Sequence, residues 1–403
     1  MIFRNIKNWF LSLARVCANE FSLIFHDAGV LLFFFALPLA YPIVYTLIYN
    51  PEVVEKMPVA VVDYCHSEAS RDLARKAGAC PAIQIYAYPA NMADAKELMN
   101  SGEVFGILEI PADYDKKINR DEQATVPFYA NMSLLLRYRA FVGALTDLQL
   151  ELASDITLER INTSGLAAFA AGRNAGMPVK SDSNFLGDTE QGFASFVIPG
   201  IVVLILQQSM ILGITLLGGT SRERRRRNGG VDPRAVKAPV SATVWGRALA
   251  YTLVYFPVTV YILHIVPWMF NLPHYGSAAD YLLFIFPLLL STAFLGQALN
   301  LFMRERESAF IIIVFTSVVF LFLSGLTWPR YAMSPFWTWL GNLVPATWGV
   351  EGFIRINSNA ATLGESVRPF SALWILAAVY MLAACWTTAW LRTGRRSQAR
   401  TGS

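Results

Sequence analysis

Six apolar stretches decide what this chain can fold into: Val30–Tyr49, Phe193–Leu217, Leu249–Met269, Tyr281–Phe302, Ser308–Trp328 and Phe370–Leu391. Each is about 20 residues long, and at a helical rise of about 1.5 Å per residue that matches a hydrocarbon layer about 30 Å thick. A soluble core helix seldom runs so far without a charge. A composition that is 55% hydrophobic and 15% charged fits the same class. The expected fold is a polytopic α-helical membrane protein with six transmembrane helices. An extracytoplasmic α/β domain is inserted in the long polar segment Pro51–Gly192, between the first span and the other five.

The net charge of +4 hides an asymmetry that sets orientation. Short segments on one side carry Arg4, Lys7, Arg15, the run Arg222–Arg227, Arg234, Lys237, Arg247, Arg304, Arg306, Arg392, Arg395, Arg396 and Arg400. The short loops opposite hold Arg330, Arg355 and Arg368. The positive-inside rule therefore places both termini and the arginine run in the cytoplasm. The resulting division is a cytoplasmic interfacial helix (1–29), a first span (30–50), an outer domain (51–192), a five-helix membrane domain (193–391) and a cytoplasmic tail (392–403). Within the membrane domain, 218–246 is an inner loop and 329–352 a re-entrant segment. The outer domain has 20 Asp and Glu against 13 Lys and Arg, counted along the sequence. Such an acidic segment argues against nucleic acid as a ligand.

The start is not read as a cleavable signal peptide, because polar residues recur through Met1–Asn19 and a full-length span follows. Ile2, Phe3, Ile6, Trp9, Phe10, Leu13, Val16 and Cys17 share one helical face opposite Arg4, Lys7, Ser12, Arg15 and Asn19, the pattern of an interfacial amphipathic helix. In the outer domain, strand-like runs at Val59–Val62, Ile83–Ala87, Val104–Ile110 and Thr125–Tyr129 alternate with helical runs at Glu68–Ala77 and Met92–Asn100. That alternation predicts a small mixed sheet. Helical spacing follows over Ser133–Ile161, and Asn162–Gln191 reads as an irregular return to the bilayer. Cys65 and Cys80 share the oxidising side, but the predicted helix between them holds them about 15 Å apart, beyond the ~7 Å a disulfide allows. His26, His66, His264 and His274 are scattered along the sequence and suggest no metal site. After the fifth span, Pro335–Pro345 is too short to cross and too apolar for an ordinary loop. It reads as interfacial or re-entrant helices with Trp337, Trp339 and Trp348 at headgroup depth.

The sequence contains neither a phosphate-binding loop of the form Gly-x-x-x-x-Gly-Lys-Ser/Thr nor a Gly-x-Ser-x-Gly elbow. Asp63, His66, Ser67 and Ser70 resemble hydrolase groups superficially, yet a helix cap at Ser67 explains them better. The run Ser221–Gly230 is either a topology signal, a holder of anionic lipid, or a short helix that docks on a soluble partner and ends at Gly229 and Gly230. Gln207, Gln208, Gln297 and Asn300 are costly in lipid; they either join helices or line a substrate path. Pro38, Pro42, Pro199, Pro257 and Pro287 are expected to kink their spans.

The lone first span, large outer domain and five clustered spans resemble the ATP-binding-cassette (ABC) type-2 permease family, in its subgroup with a large extracytoplasmic domain. The resemblance rests on Met57-Pro-Val-Ala-Val-Val-Asp63 with Ser67-x-x-Ser70-Arg71, and on the run Ala95–Pro111. Further along it rests on Phe193-x-x-Phe196-x-x-Pro199-Gly200 with Gln207-Gln208, on Ser324-Gly325-x-x-x-Pro329, and on Gly349-x-Glu351-Gly352. It implies an exporter subunit that moves an amphiphilic, drug-like or lipid-like substrate out of the cytoplasm or inner leaflet of a bacterial inner membrane. The chain itself would carry no cofactor; ATP and Mg would sit on a separate ABC ATPase, present in two copies. A second permease chain, identical or paralogous, would complete the pore, with membrane lipid around it and room for a periplasmic adaptor. By the same resemblance, Arg222, Glu223, Arg224, Arg225, Arg226 and Arg227 would form the coupling helix against the ATPase. Here Arg224-Arg-Arg-Arg-Asn-Gly-Gly230 stands where the family usually has Glu-Arg-x-x-Gly-Thr. The alternative reading is a membrane-anchored receptor whose outer domain binds a partner without transport, a task for which six spans are more than an anchor needs. A carrier driven by an ion gradient would want carboxylates inside the spans, and spans two to six have none in their cores.

Overall fold

A computed structural model describes residues 2–49, 55–120, 122–131, 135–163, 193–272 and 274–401. The chain divides into two compact units, Val53–Asn184 and the remainder. The predicted irregular return lies outside the described residues, apart from Asn162 and Thr163.

The first unit, Met1–Glu52 with Phe185–Ser403, is helical. It opens with α1 (Ile2–Phe25) and α2 (Ala28–Tyr49). The second unit supplies β1 (Met57–Asp63), α3 (Glu68–Ala79), β2 (Ile83–Ala87), α4 (Met92–Asn100), β3 (Gly106–Ile110), α5 (Tyr114–Asn119), β4 (Phe128–Ala130) and α6 (Leu135–Thr163). The first unit resumes with α7 (Phe193–Arg227), α8 (Val240–Met269), α9 (Ala278–Leu299), α10 (Ser308–Leu323), α11 (Pro335–Asn342), α12 (Pro345–Asn359) and α13 (Val367–Thr401).

In the second unit the strand order is β2-β1-β3-β4, with β1 parallel to both neighbours and β4 antiparallel to β3. Strand β1 is central and buried on both faces, which is why it reads as an almost unbroken apolar run. Met57, Val59 and Val61 pack with Leu73 and Ala77 of α3 and Phe141 and Leu148 of α6; Ala60, Val62 and Ile107 pack with Ala95 of α4. Two strands start later than expected. The amides of Glu103 and Val104 close the end of α4 on Leu98 O (3.0 and 3.2 Å), so the β3 ladder begins at Gly106. Pro127 has no proton to give, so β4 begins at Phe128. Ser67 caps α3 in a capping box with Ser70, whose hydroxyl donates to Asp63 Oδ2 at 2.7 Å. That fixes the hydrolase-like cluster as a strand-to-helix joint. Cys65 and Cys80 are free thiols, as are Cys17 and Cys385.

In the helical unit, five helices among the described residues are long and apolar enough to cross a membrane: α2, α7, α8, α9 and α13. The fifth predicted stretch forms only α10, 16 residues ending at Leu323 rather than Trp328. Gly325 there adopts φ +89°, a left-handed turn, and the Arg330 side chain fills the space a Cβ would occupy. Helix α7 is the axis of this unit. Its apolar window is 78% buried, against 22% for α2 and 28% for α13, and it packs on α2, α9, α10 and α12. Glycines let those neighbours in: a Cβ on Gly213 would lie 1.9 Å from the Phe34 ring. Two of the proline-bearing helices, α2 and α8, run on through single π turns. Leu37 N bonds Leu32 O just before Pro38, and Val266 N bonds Tyr261 O just before Pro267, a proline outside the predicted set.

The segment read as re-entrant folds as a 3₁₀ turn (Arg330–Ala332) followed by α11 and α12. One of its tryptophans departs from expectation. Trp337 and Trp339 are exposed, but Trp348 is buried in the core, donates to Asn342 O at 3.0 Å and lies under the Arg330 guanidinium at 4.8 Å. Arg330 also bonds Glu351 (3.0 Å) and Asn342, so Trp348 belongs to an internal joint rather than a headgroup belt.

Candidate functional site

The arginine run is the end of α7 itself, not a separate short helix. The helix continues from the apolar core through Ser221–Arg227, and four basic residues in its last turn suit the negative end of the helix dipole. Gly230 N then bonds Arg225 O (2.8 Å), with Gly229 and Gly230 at φ +60° and +88° closing the turn.

Most of the run grips this chain's own loops. Arg222 donates to the carbonyls of Asn300 (2.7 Å) and Leu301 (3.0 Å), satisfying backbone left open at the end of α9. Glu223 Oε1 accepts the amide proton of Arg306 at 2.8 Å. Arg224 forks onto Asp232 (3.1 and 3.2 Å), which also accepts from Ser221 Oγ (2.6 Å) and Arg234 N (3.1 Å) and is 4% exposed. Burial pushes the Asp232 carboxyl up, but Arg224, Ser221 and the Arg234 amide outweigh it and hold the group below its ordinary value. Arg225 is half-buried. Arg226 pairs with Glu305 at 2.7 Å on the exposed surface, and Arg227 is exposed.

Around this end runs a belt of charged contacts joining distant parts of the sequence. Asp27 caps α2, accepting from Gly29 N (3.0 Å) and Val30 N (3.2 Å). The same carboxylate takes both arms of Arg306 (2.8 and 2.6 Å). Burial raises the Asp27 carboxyl, whereas Arg306 and the two amides lower it more, so it stays ionised below the usual range. On α1, Glu20 is 2% exposed and accepts from Arg247 (2.6 Å) and Tyr251 (3.1 Å) of α8. Asn19 donates to Arg234 O (3.1 Å) and Trp9 to Ser241 Oγ (3.0 Å). Arg392 of α13 holds Ala238 O and Thr243 Oγ1, each at 2.8 Å. Hence α1, α2, α7, α8, α13 and the turn after α9 meet in one polar assembly around the loop Val231–Pro239. Its acidic members Glu20, Asp27 and Asp232 were not singled out from sequence. A carboxylate at the edge of an apolar segment must find a partner, and Asp27 directly before a span is a cap signal; both were readable.

The four amides do not converge. Gln207, near the middle of α7, and Asn300 lie at different levels of that helix: Gln207 Oε1 accepts from Ala346 N at 2.5 Å, capping α12. Asn300 lies beside Gly218, where an added Cβ would meet Asn300 Oδ1 at 2.0 Å. Eleven helical residues between 207 and 218 correspond to about 16 Å. Gln297 donates to Val244 O (3.2 Å), joining α9 to α8. The buried amide of Gln208 has no partner among the described residues. Three of the four thus contact other helices of the bundle. Two of the histidines scattered along the sequence meet: His264 and His274 are neighbours, Nδ1 to Nε2 at 2.6 Å, with His274 Nδ1 2.9 Å from Asn357 Oδ1. Among the described residues no group of three or more His, Cys, Asp or Glu is placed to hold a metal ion.

Residues 28–386 match the family model described as "ABC-2 family transporter protein". A curated relative, ABC transporter G family member 20 of Dictyostelium discoideum, is 26% identical over 264 residues, which cover 63% of this chain and 34% of that protein. The chain therefore spans about a third of the length of that relative.

Proposed function

Because this chain belongs to the ABC-2 family of transporter proteins, we propose that it is the membrane permease of an exporter powered by a separate ABC ATPase. In this reading α10 serves as a sixth span beside the five longer helices, both termini face the cytoplasm, and the sheet-bearing unit is extracytoplasmic. Two ATPase copies bind a pair of permease chains, and an amphiphilic cargo leaves the cytoplasm or inner leaflet between them. ATP and Mg sit on the partner.

The observation that carries the proposal is the polar belt at the end of α7. A push on the loop Val231–Pro239 reaches α7 through Arg224–Asp232, α1 through Asn19–Arg234 O, and α13 through Arg392–Ala238 O. Through Glu223 and Arg306 the same strain reaches α2. Such linkage lets one docking event move several spans together. The internal bonds also divide the arginines by role: Arg222 and Arg224 hold the belt, whereas Arg226 and Arg227 present charge outward to the ATPase.

The test is co-purification of the full chain from native membranes. An ABC ATPase should accompany the wild type and be lost by about tenfold or more in R226E/R227E, since reversed rim charges repel a partner that fits them. The pair of substitutions should leave membrane insertion unchanged and shift the melting temperature only slightly, because the Arg226–Glu305 pair it breaks is exposed. A wild-type chain recovered from native membranes with no nucleotide-hydrolysing companion would overturn the proposal.

A further inference from the structure

Beneath the belt lies a cavity of about 410 Å³, walled by α1, α7, α8, α9, α13 and the loop Val231–Ala238. Its wall carries seven arginines and lysines and two carboxylates, an excess of five positive charges. Both carboxylates are spent within the wall: Glu20 on Arg247 and Asp232 on Arg224. Arg222 gives its protons to backbone carbonyls, which satisfy hydrogen bonds without neutralising charge. No carboxylate pairs with Arg222, Arg234 or Lys237 among the described residues. A like-charged cavity of this kind is costly unless an anion enters it.

The second observation is an acceptor. Gln297 lines the cavity, is 4% exposed, and among the described residues its Oε1 receives no proton although its Nε2 is engaged. Asn300 Oδ1, on the same wall, is likewise buried without a donor among the described residues. A bare anion would satisfy the cations and repel these two oxygens. A ligand that carries negative oxygens beside a hydroxyl or amine satisfies both. Arg234 and Lys237, which pair with no carboxylate among the described residues, stand at the mouth of this positive wall and suit the tetrahedral oxygens of phosphate. We propose that this cavity binds a phosphate-bearing anion that also offers a hydroxyl or amine proton, the chemistry of a hydroxylated phospholipid headgroup or of a free protonated phosphate. Apolar Val16, Leu23, Leu217 and Leu391 in the same wall suit the start of a lipid's acyl chains.

Native mass spectrometry of the full-length chain in detergent, with added phosphatidylglycerol or phosphatidylcholine, reads the lipid arm. Melting temperature in inorganic phosphate against sulfate at matched ionic strength reads the free-anion arm. Phosphatidylglycerol should be retained about tenfold better than phosphatidylcholine, and R234Q/K237Q at the exposed mouth should remove about tenfold of that retention while leaving the fold intact. Arg227→Gln, outside the cavity, should leave lipid retention unchanged. Gln297→Leu should lower retention by about threefold, the loss of one hydrogen bond. Stabilisation by phosphate over sulfate that R234Q/K237Q removes, without lipid preference, would support the site and assign it to free phosphate. Equal retention of both lipids with no phosphate-specific shift overturns the proposal, as does retention that falls equally in Arg227→Gln and R234Q/K237Q, or in neither.

Discussion

Gly219 has no side chain because the backbone of Glu305 and Arg306 runs past it; an added Cβ would lie 2.7–2.8 Å from their atoms. A side chain can rotate away from such an intrusion, but a backbone cannot. Gly219→Ala should therefore lower the stability of the purified protein by about 1–3 kcal/mol, read as a drop in melting temperature. Gly143, exposed within α6 with open space around its Cβ position, is the control: Gly143→Ala should leave stability equal or raise it by about 0.5–1 kcal/mol. A titration prediction belongs to the same scale. The folded pKa of Asp27 lies below its ordinary 3.8, so its contribution is present above that value and is lost as pH falls through the lower, folded one. Asp27→Asn should melt at lower temperature than wild type at neutral pH. The two curves should converge in acid below pH 3.8. A constant gap across that range would show that the carboxylate's charge is irrelevant to the cap.

At the scale of elements, α1 is bound to α8 by one buried ion pair. Its amphipathic pattern is plain in sequence, but Glu20 on the side facing α8 is what fixes it there. Gly246 deepens the contact, since its Cβ position is 2.8 Å from Leu13 O. Removing one partner leaves the other charge buried, so Arg247→Ala should destabilise by about 3–5 kcal/mol. Replacing both, as E20L/R247M, should cost much less because no charge is stranded. Thermal melting of the three proteins decides this; equal losses in the single and double variants would mean that packing, not charge, holds α1. Helix α12 shows the same logic from the polar side. Its N-terminus begins inside the bundle, where no water can take its amide protons, and Gln207 of α7 supplies the acceptor.

For the whole molecule, the orientation expected from counting positive charges is directly testable. In a cysteine-free background, Tyr86→Cys on the sheet unit should react with a membrane-impermeant maleimide in intact cells, and Arg227→Cys only after permeabilisation. Reaction of both from outside would reverse or break the proposed topology. The transport reading rests on family membership together with the polar belt. The sequence carried the helical membrane class and the run of strands and helices because hydropathy period and turn residues are local signals. Ser67 as a cap and Pro127 as the limit of β4 belong to that legible part. The length of α10 did not, since an apolar run says nothing about Gly325 turning left-handed against Arg330.

By itself, then, the order of residues determined which segments are apolar enough for lipid, which short segments carry the positive charge, and where caps and turns fall. These depend on neighbours a few positions apart. Only the tertiary structure decided what the charged residues do. Arg306 and Asp27 are 279 positions apart and Arg247 and Glu20 are 227 apart, so no local pattern could pair them. Nor could spacing separate Arg222 and Arg224, which brace the bundle, from Arg226 and Arg227, which face outward. That division arises along the helix axis: Arg222 and Arg224 lie level with the turn after α9 and with Asp232, whereas Arg226 and Arg227 lie in the exposed last turn.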